Sequence, residues 1–309
     1  MSGFAHCSRP TISRLAAALL CLAPLPPAAA LTVLYSSSLN GNLDGCDCRG
    51  RPRAGLAARA AWLRELPGRE QALLVDAGDI LDVDPDPELA REILEAYCEL
   101  GYDVVAVGDQ EFSNGTEALA SWRGRFPLRS HNLVLCQQDR CIYFDLEALI
   151  LTKGPEKVGV IALIDPQVFA LYPAGLKESF KVEPPGRAAA VLVSTLRAQA
   201  VDWVVVLYHG PLEEAERLAR QIPGIDLVIA GHEQRLVEPR SVNGTLLASP
   251  GEEGNRVGLL TLRRDSRSRV RANHEFRLFR FDRDPRDPAI LARLQRYRQK
   301  LRDALNQSR

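Results

Sequence analysis

The sequence predicts a single domain of mixed α/β class, and two observations support this prediction. Short apolar segments of strand length alternate with segments of helical length, and antiparallel strand patterns follow them later in the chain. Several apolar segments also end in polar islands, and open α/β sheets place their ligands at the carboxyl ends of buried strands. We therefore expect one domain whose functional site is built from several loops.

The individual elements follow from hydrophobic periodicity and from turn residues. Apolar, β-branched runs predict strands, and Gly154-Pro155 predicts the turn of a hairpin. Single-residue alternation, as in Arg269-Val270-Arg271, predicts half-exposed strands near the end of the chain. In chain order the predicted elements are strand 31–37, helix 54–66, strand 71–76, helix 87–100, strand 103–107, a strand near 128–135, hairpin 148–152 and 158–164, helix 187–199, strand 203–208, helix 212–221, strand 226–230, four or five further strands, and a helix from about 287 to 304.

The first thirty residues differ in character from the rest of the chain. Arg9 and Arg14 precede an apolar stretch at 15–25, and small residues end at Ala30, which is the pattern of a secretory signal. The apolar stretch is far short of the roughly 20 residues that cross a bilayer. We therefore predict a signal peptide at 1–30, a domain at 31–286 and a terminal helix at 287–309, with no transmembrane segment and an exported, periplasmic or extracellular location.

Composition and charge exclude several classes of function. With 46% hydrophobic and 25% charged residues, the chain is ordinary globular material rather than a disordered or fibrous protein. Acidic and basic residues balance at 39 each, so no global positive field attracts nucleic acid, and we expect none as a partner. The segment from Arg263 to Arg309 is locally basic, and we interpret it as a solvated face rather than a lipid or polyanion surface.

Four polar islands and one histidine carry most of the functional information. In chain order they are Ser38-Leu39-Asn40-Gly41, Asp76-Ala77-Gly78-Asp79, Gly108-Asp109-Gln110-Glu111-Phe112, the lone His209, and Gly231-His232-Glu233-Gln234. Each island follows a short apolar, β-branched stretch, so each is expected in a loop at the carboxyl end of a buried strand. This layout is typical of a metal site that draws its ligands from several loops.

From about Leu31 to about Leu262 the chain resembles the metallophosphoesterases, in particular the 5′-nucleotidase branch of the calcineurin-like superfamily. In that family the loops read Asp-x-His, Gly-Asp, Gly-Asn-His-Glu-Phe, a lone His, and Gly-His-x-His or Gly-His-x-Gln. The residues that match are Asp79, Glu111, Phe112, His209, Gly231, His232 and Gln234. The resemblance implies a four-layer α/β/β/α sandwich. The departures are Ser38 and Asn40 in place of Asp and His, Asp109 in place of Asn, and Gln110 in place of His.

The resemblance implies one complete metal site and one depleted site. The complete set of ligands is Asp79, Asp109, His209 and His232, whereas Ser38, Asn40, Gln110 and Gln234 would form a substrate position or a weak second metal position. Two dications about 3.5 Å apart repel by roughly 19 kcal/mol at an effective dielectric constant of about 20, so a pair needs anionic ligands near both ions. We therefore predict one divalent metal, zinc, manganese or iron. The alternative is that these side chains are remnants of a metal site, bind no ion and only make hydrogen bonds.

The substitutions also bear on catalysis. In the family, a histidine stabilises the transferring phosphoryl group and donates a proton there, and an aspartate orients this histidine. The corresponding residues here are Gln110 and Ser113. Glutamine cannot transfer a proton, and a positioned acid or base is worth about 10²- to 10⁴-fold in rate. We expect at most slow hydrolysis of nucleotide-type phosphoesters, and the catalytic residues are unknown. One alternative is a non-catalytic protein that binds a small phosphorylated ligand or a protein partner.

The cysteines suggest a second alternative function. Cys46 and Cys48 form a Cys-x-Cys pair, which is similar to a branch of UshA-like exported proteins, and three nearby arginines favour the thiolate. A thiol-redox or metal-handling role and a simple disulfide both remain open for this pair. Cys136 and Cys141 bracket a short polar loop and suit a disulfide across a hairpin, and Cys98 is predicted to be a buried thiol.

Overall fold

The structure is a computed structural model that describes residues 30–48, 51–137, 140–251 and 254–307, except for the side chains at 46–52. The predicted signal peptide, apart from Ala30, lies outside the described residues. Within the part of the chain that is described, no helix is both long and apolar enough to cross a membrane.

Most strands begin or end within two residues of their predicted bounds, and the hairpin at Gly154-Pro155 is confirmed by the antiparallel pairing of β9 with β10. The strands are β1 Leu31–Ser36, β2 Gly45–Cys48, β3 Arg51–Ala54, β4 Leu73–Asp76, β5 Val104–Ala106, β6 Leu128–Arg129, β7 Leu133–Gln137, β8 Arg140–Tyr143, β9 Leu149–Lys153, β10 Glu156–Ile164, β11 Phe180–Val182, β12 Trp203–Gly210, β13 Leu227–His232, β14 Leu236–Val242, β15 Thr245–Pro250, β16 Arg256–Arg264 and β17 Val270–Leu278.

The long helices also lie where the sequence predicts them, whereas α3, α4 and the short strands β2, β3 and β11 were not predicted. The α-helices are α1 Leu56–Glu65, α2 Pro87–Glu99, α3 Gly115–Trp122, α4 Ala174–Lys177, α5 Pro185–Ala198, α6 Leu212–Gln221 and α7 Pro288–Gln307. Three 3-10 turns occupy Arg69–Gln71, Gln110–Phe112 and Pro166–Phe169. Helix α2 begins cleanly because the side chain of Asp86 accepts a hydrogen bond from the backbone N–H of Leu89 and Pro87 occupies the first turn.

The single strand predicted near 128–135 is wrong, because this segment divides into β6 and β7, which belong to different sheets. The residues between them bind the free end of β10 instead. The side-chain amide of Asn132 donates to Ile164 O and accepts from Ile164 N, and His131 N donates to Ala162 O. These bonds satisfy backbone groups of β10 beyond the last residue that pairs with β9.

Two six-stranded sheets form the centre of the molecule. The first has the order β17-β16-β1-β4-β5-β6 and the second the order β14-β15-β13-β12-β10-β9. In the first sheet β1, β4, β5 and β6 are parallel, and in the second β10, β12, β13 and β15 are parallel. Strand β12 is buried along its whole length, which explains the apolar run at 203–208 that precedes His209.

The sheets pack face to face, and helices cover both outer faces. A buried cluster that includes Val33, Val75, Val160 and Val205 fills the space between the sheets. A second core joins the outer face of the first sheet to helices α1, α2 and α7, and a third joins the outer face of the second sheet to α5 and α6. The fold is therefore the predicted α/β/β/α sandwich, and the carboxyl ends of its parallel strands carry the polar islands.

Candidate metal centre

Four side chains from two sheets converge at the carboxyl ends of parallel strands. Asp79 follows β4 and Asp109 follows β5 in the first sheet, while His209 and His232 lie in the last residues of β12 and β13 in the second. Each offers one ligand atom, and these four atoms all lie within 4.8 Å of one another. Asp79, Asp109 and His209 are buried and His232 is partly exposed, so the cluster opens to solvent on one side.

Asp109 lies at the centre of the cluster. Its Oδ1 is 3.0 Å from His209 Nε2 and 3.0 Å from His232 Nδ1. Asp79 Oδ1 lies 3.2 Å from the same His209 nitrogen and also accepts a hydrogen bond from Gln110 N. Two carboxylates and two imidazoles thus face a common point, a donor set that suits zinc and related divalent metals.

The environment of His209 fits a cation at that point. His209 Nδ1 donates to the carbonyl oxygen of Ala77 at 2.7 Å, since a carbonyl can only accept, and this bond orients Nε2 toward the two carboxylates. A neutral imidazole would therefore direct a lone pair at two anionic oxygens. Either a second proton or a metal ion on Nε2 removes this repulsion, so the arrangement is compatible with a bound divalent ion.

The charges of the cluster also shift the pKa values of His209 and Asp109. Burial opposes protonation of His209, but the nearby charge of Asp79 and the bonds to both aspartates outweigh it and raise the pKa of His209 well above its usual range. Burial disfavours ionisation of Asp109, yet hydrogen bonds from His209 and His232 hold the pKa of this carboxyl well below its usual range. The carboxylates therefore favour positive charge at the position that a metal ion would take.

Glu111 connects the two loops that carry the aspartates. Its buried carboxylate accepts hydrogen bonds from the backbone N–H groups of Asp79, Ile80 and Leu81 on one loop and of Gly108 on the other. Burial, followed by the charge of Asp79, raises the pKa of Glu111 to about 7. The residue does not belong to the cluster but determines how its two carboxylate loops are spaced.

The loops of the site have an unusual backbone conformation. Five non-glycine residues in them have positive φ: Ser38, Asn40, Asp79, His232 and Gln234, with φ between 50° and 82°. Such conformations cost on the order of 1–3 kcal/mol each and are found where surrounding contacts enforce them. Ser38 N donates to Gly78 O and Asn40 N donates to Asp79 O, and these bonds hold the 38–41 loop against the 76–79 loop. The 38–41 loop is held in this way although it carries no carboxylate or imidazole ligand.

The residues predicted for substrate or a weak second metal lie in the loops that carry the cluster or in the 38–41 loop, which is hydrogen-bonded to the loop of Asp79. Ser38 is buried, Gln110 directly follows Asp109, and Gln234 lies two residues beyond His232. The buried oxygens Asn40 Oδ1 and Gln110 Oε1 have no hydrogen-bond partner among the described residues. Within the same part of the chain, no second group of three His, Cys, Asp or Glu side chains could hold an ion.

The structure adds one residue to the site that sequence reasoning missed. Tyr172, from the segment that follows β10, donates its hydroxyl to Asp109 Oδ2 at 2.9 Å. Strand β10 is parallel to β12 and therefore ends at the same edge of the sheet. That position was the only signal in the sequence, because no conspicuous motif surrounds this tyrosine.

The predictions for the cysteines have different outcomes in the structure. Cys136 and Cys141 form a disulfide across the β7–β8 hairpin. Cys46 and Cys48 lie in β2, which pairs with β3, but their side chains are outside the described residues. The prediction that Cys98 is buried is wrong, because the buried face of α2 follows Ile93, Leu94 and Tyr97, and Cys98 lies beside that face and is exposed.

Comparison with known proteins identifies the family. The family described as calcineurin-like phosphoesterase matches residues 52–236, more than half of the chain. The chain belongs to this family. Its relatives include the snake venom 5′-nucleotidase of Gloydius brevicauda, which is 29% identical over 242 residues, 71% of this chain and 39% of that protein. The 5′-nucleotidase of Diplobatis ommata is 30% identical over 233 residues, 69% of this chain and 39% of the relative.

Solved structures support the same assignment of the phosphoesterase fold. A 5′-nucleotidase precursor from Thermus thermophilus superposes with a TM-score of 0.75 at 23% identity and covers 89% of this chain and 59% of that one. The calcineurin-like phosphoesterase YfkN from Bacillus subtilis superposes with a TM-score of 0.68 at 20% identity, covering 89% and 98%. The predicted 5′-nucleotidase branch is confirmed, and the chain spans about two fifths of the length of the curated relatives named above.

Proposed function

We propose that this phosphoesterase is an exported hydrolase that binds one divalent metal and slowly cleaves nucleotide-type phosphoesters. The observation that carries the proposal is the convergence of Asp79, Asp109, His209 and His232 within 4.8 Å. These four residues would hold the ion, which when bound would polarise a phosphoryl oxygen and acidify a bound water. The names of the relatives suggest the substrate class, and the pattern of residues 1–30 supports export.

The residues around the cluster determine what it can do. Two aspartates balance the charge of one dication, while Ser38 and Asn40 offer only neutral oxygens. Gln110 can orient a substrate oxygen through a hydrogen bond, but it cannot supply a proton to the leaving group. We therefore propose slow turnover rather than the efficient reaction of a two-metal site.

Metal content and activity of the mature protein test this proposal. We expect one zinc, manganese or iron ion per chain by elemental analysis, and slow release of phosphate from nucleoside monophosphates that stops when a chelator removes the ion. His209→Ala should lose the ion, because it removes an imidazole ligand. The matched control is His274→Ala, which removes an exposed imidazole on β17 and should keep it. Full occupancy by two ions would contradict the single-metal proposal, and absence of any ion would contradict metal binding.

A non-catalytic function is the second candidate. Gln110 favours this candidate, because the glutamine stands where the family motif has a proton-donating histidine. In that case the protein would bind one ion and a small phosphorylated ligand without turnover. Absence of hydrolysis by metal-loaded protein, together with saturable binding of a nucleoside monophosphate, would support this candidate against the hydrolase.

The thiol function predicted for Cys46 and Cys48 stays a prediction. Thiol titration of the mature protein, compared with Cys48→Ser, tests it. A reactive thiol that disappears in the variant would support redox or metal handling. No free thiol and no change in metal content would leave only a disulfide.

A further inference from the structure

Tyr172 contacts the Asp109 carboxylate from a segment whose backbone also reaches the site, because Asp165 N donates to His209 O at 2.8 Å. The segment follows β10 and contains the 3-10 turn Pro166–Phe169 and the short helix α4. Tyr172 N donates to Phe169 O at 3.1 Å, which closes the turn and aims the ring toward the site. Its hydroxyl then donates to Asp109 Oδ2 at 2.9 Å.

An aromatic cluster fixes this segment against the loop that carries Asp109. The ring of Phe169 lies 5.4 Å from that of Tyr172, 4.9 Å from Phe112 and 4.5 Å from Phe180, measured between centroids. Phe112 N in turn donates to Asp109 O at 3.1 Å. Because Phe112, Phe169 and Phe180 are all buried, the Tyr172 hydroxyl and the Asp109 carboxylate are held by the same packed unit.

The two oxygens of Asp109 therefore have separate partners. Oδ1 faces His209 Nε2 and His232 Nδ1, each at 3.0 Å, whereas Oδ2 accepts from Tyr172. A hydrogen bond to an ionised carboxylate is roughly twice as strong as one between neutral groups, so this bond fixes the orientation of the carboxylate and keeps Oδ1 directed at the two imidazoles. Without this bond the carboxylate would be free to rotate and to present both oxygens to a cation.

We propose that Tyr172 is a positioning residue that makes Asp109 a ligand through Oδ1 alone and thereby strengthens binding of a divalent metal. The inference rests on the metal binding proposed above, but it assigns a role to a residue outside the four ligands. Tyr172 acts through Asp109 and transfers no proton. Hydrogen-bond partners of metal ligands are worth about 10- to 100-fold in metal affinity.

The test measures metal binding and coordination, not only turnover. Chelator-treated wild type and Tyr172→Phe are titrated with Co²⁺, which reports its coordination by visible absorption, and with Zn²⁺ by calorimetry. We expect Tyr172→Phe to raise the dissociation constant about 10- to 100-fold and to change the Co²⁺ spectrum, because Asp109 becomes free to bind through both oxygens. The ring is kept, so the aromatic cluster and the fold should remain, as circular dichroism would verify.

A matched control exists on α7. The hydroxyl of Tyr297 also donates to a carboxylate, Asp86 Oδ2, away from the metal ligands. Tyr297→Phe should leave the Co²⁺ spectrum and affinity unchanged. In an Asp109→Asn background, Tyr172→Phe should have a smaller effect than in wild type, because the charged acceptor is already gone.

The outcomes separate the two proposals. If wild type binds one ion and Tyr172→Phe binds it with the same affinity and spectrum, the role of Tyr172 is overturned while the proposed metal site stands. If Tyr172→Phe has the same effect in wild type and in the Asp109→Asn background, Tyr172 does not act through Asp109. If wild type binds no ion, the proposed function itself fails, and the role of Tyr172 fails with it.

Discussion

At the scale of single residues, Glu111 shows how one side chain can organise a site that it does not enter. Four backbone N–H groups from two loops converge on its carboxylate, at 2.6 to 3.2 Å. These donors lie in loops just beyond the ends of β4 and β5, where the backbone has no neighbouring strand to bond. The carboxylate supplies the acceptors that a neighbouring strand would otherwise provide. The residue is wholly buried, and its loss would leave these groups without water to bind.

We expect Glu111→Gln to lower the free energy of unfolding by about 1.5–3 kcal/mol, because hydrogen bonds to a charged acceptor are lost and an amide N–H₂ would face backbone donors. Urea denaturation of purified protein, at a pH above the Glu111 pKa of about 7 so that the carboxylate is charged, measures the change. Glu275→Gln removes an exposed carboxylate on β17 and should change the stability by less than about 0.5 kcal/mol. Equal stability of both variants would show that the Glu111 charge does not hold the loops.

At the scale of elements, a buried polar network ties helix α1 to the first sheet. Arg59 Nη1 lies 3.0 Å from Ser36 Oγ, 3.4 Å from Asp76 Oδ2, 3.1 Å from Tyr97 OH and 2.8 Å from Tyr102 OH. Arg59 and Asp76 are both fully buried, so neither charge can be compensated by water. Ser36 and Asp76 end β1 and β4, and the network therefore also fixes the strand ends from which the site loops leave.

Arg59→Leu should destabilise the protein by about 3–5 kcal/mol, because it leaves the Asp76 carboxylate buried without its counter-charge. The matched substitution is Arg217→Leu on α6, whose guanidinium is 61% exposed and pairs with a Glu214 side chain that is 21% exposed. An exposed pair of this kind contributes about 1 kcal/mol or less. Thermal and urea unfolding of the two variants give the comparison, and similar losses in both would refute the importance of burial.

At the scale of the whole molecule, the terminal helix is part of the main core. Ile290 and Leu294 belong to the buried cluster that α1 and α2 form on the first sheet. Arg293 adds ion pairs to Glu92, Glu95 and Glu99 of α2. The predicted division at 286 therefore falls between elements that share one core, and we expect α7 to unfold together with the sandwich.

Ile290→Ala should lower the free energy of unfolding by about 2–5 kcal/mol and keep a single transition, because it opens a cavity in this shared core. Leu301→Ala on the same helix removes a side chain that is 41% exposed and should cost about 0.5 kcal/mol or less. Coincident unfolding curves from tryptophan fluorescence and circular dichroism would verify one unit. A separate early transition for Ile290→Ala would show that α7 unfolds independently.

Local patterns were sufficient to predict much of the fold. Strands such as β12 and helices such as α6 have periodicities that depend only on neighbouring residues, and both lie close to their predicted bounds. The failures have tertiary causes. Residues 128–135 look like one strand, but Asn132 leaves the first sheet to bind Ile164, a contact 32 residues away that no local pattern contains.

The sequence by itself determined the order of the polar islands and their placement after apolar runs, and the family resemblance that these islands carry implied the four side chains that cluster. Only the tertiary structure decided how they meet. Packing of two sheets brings Ala77 and His209, 132 residues apart, into a hydrogen bond that orients the imidazole. Packing also brings Tyr172 to Asp109 and the Glu111 carboxylate to two loops. Such contacts depend on three-dimensional proximity, whereas hydrophobic periodicity records only which residues are buried.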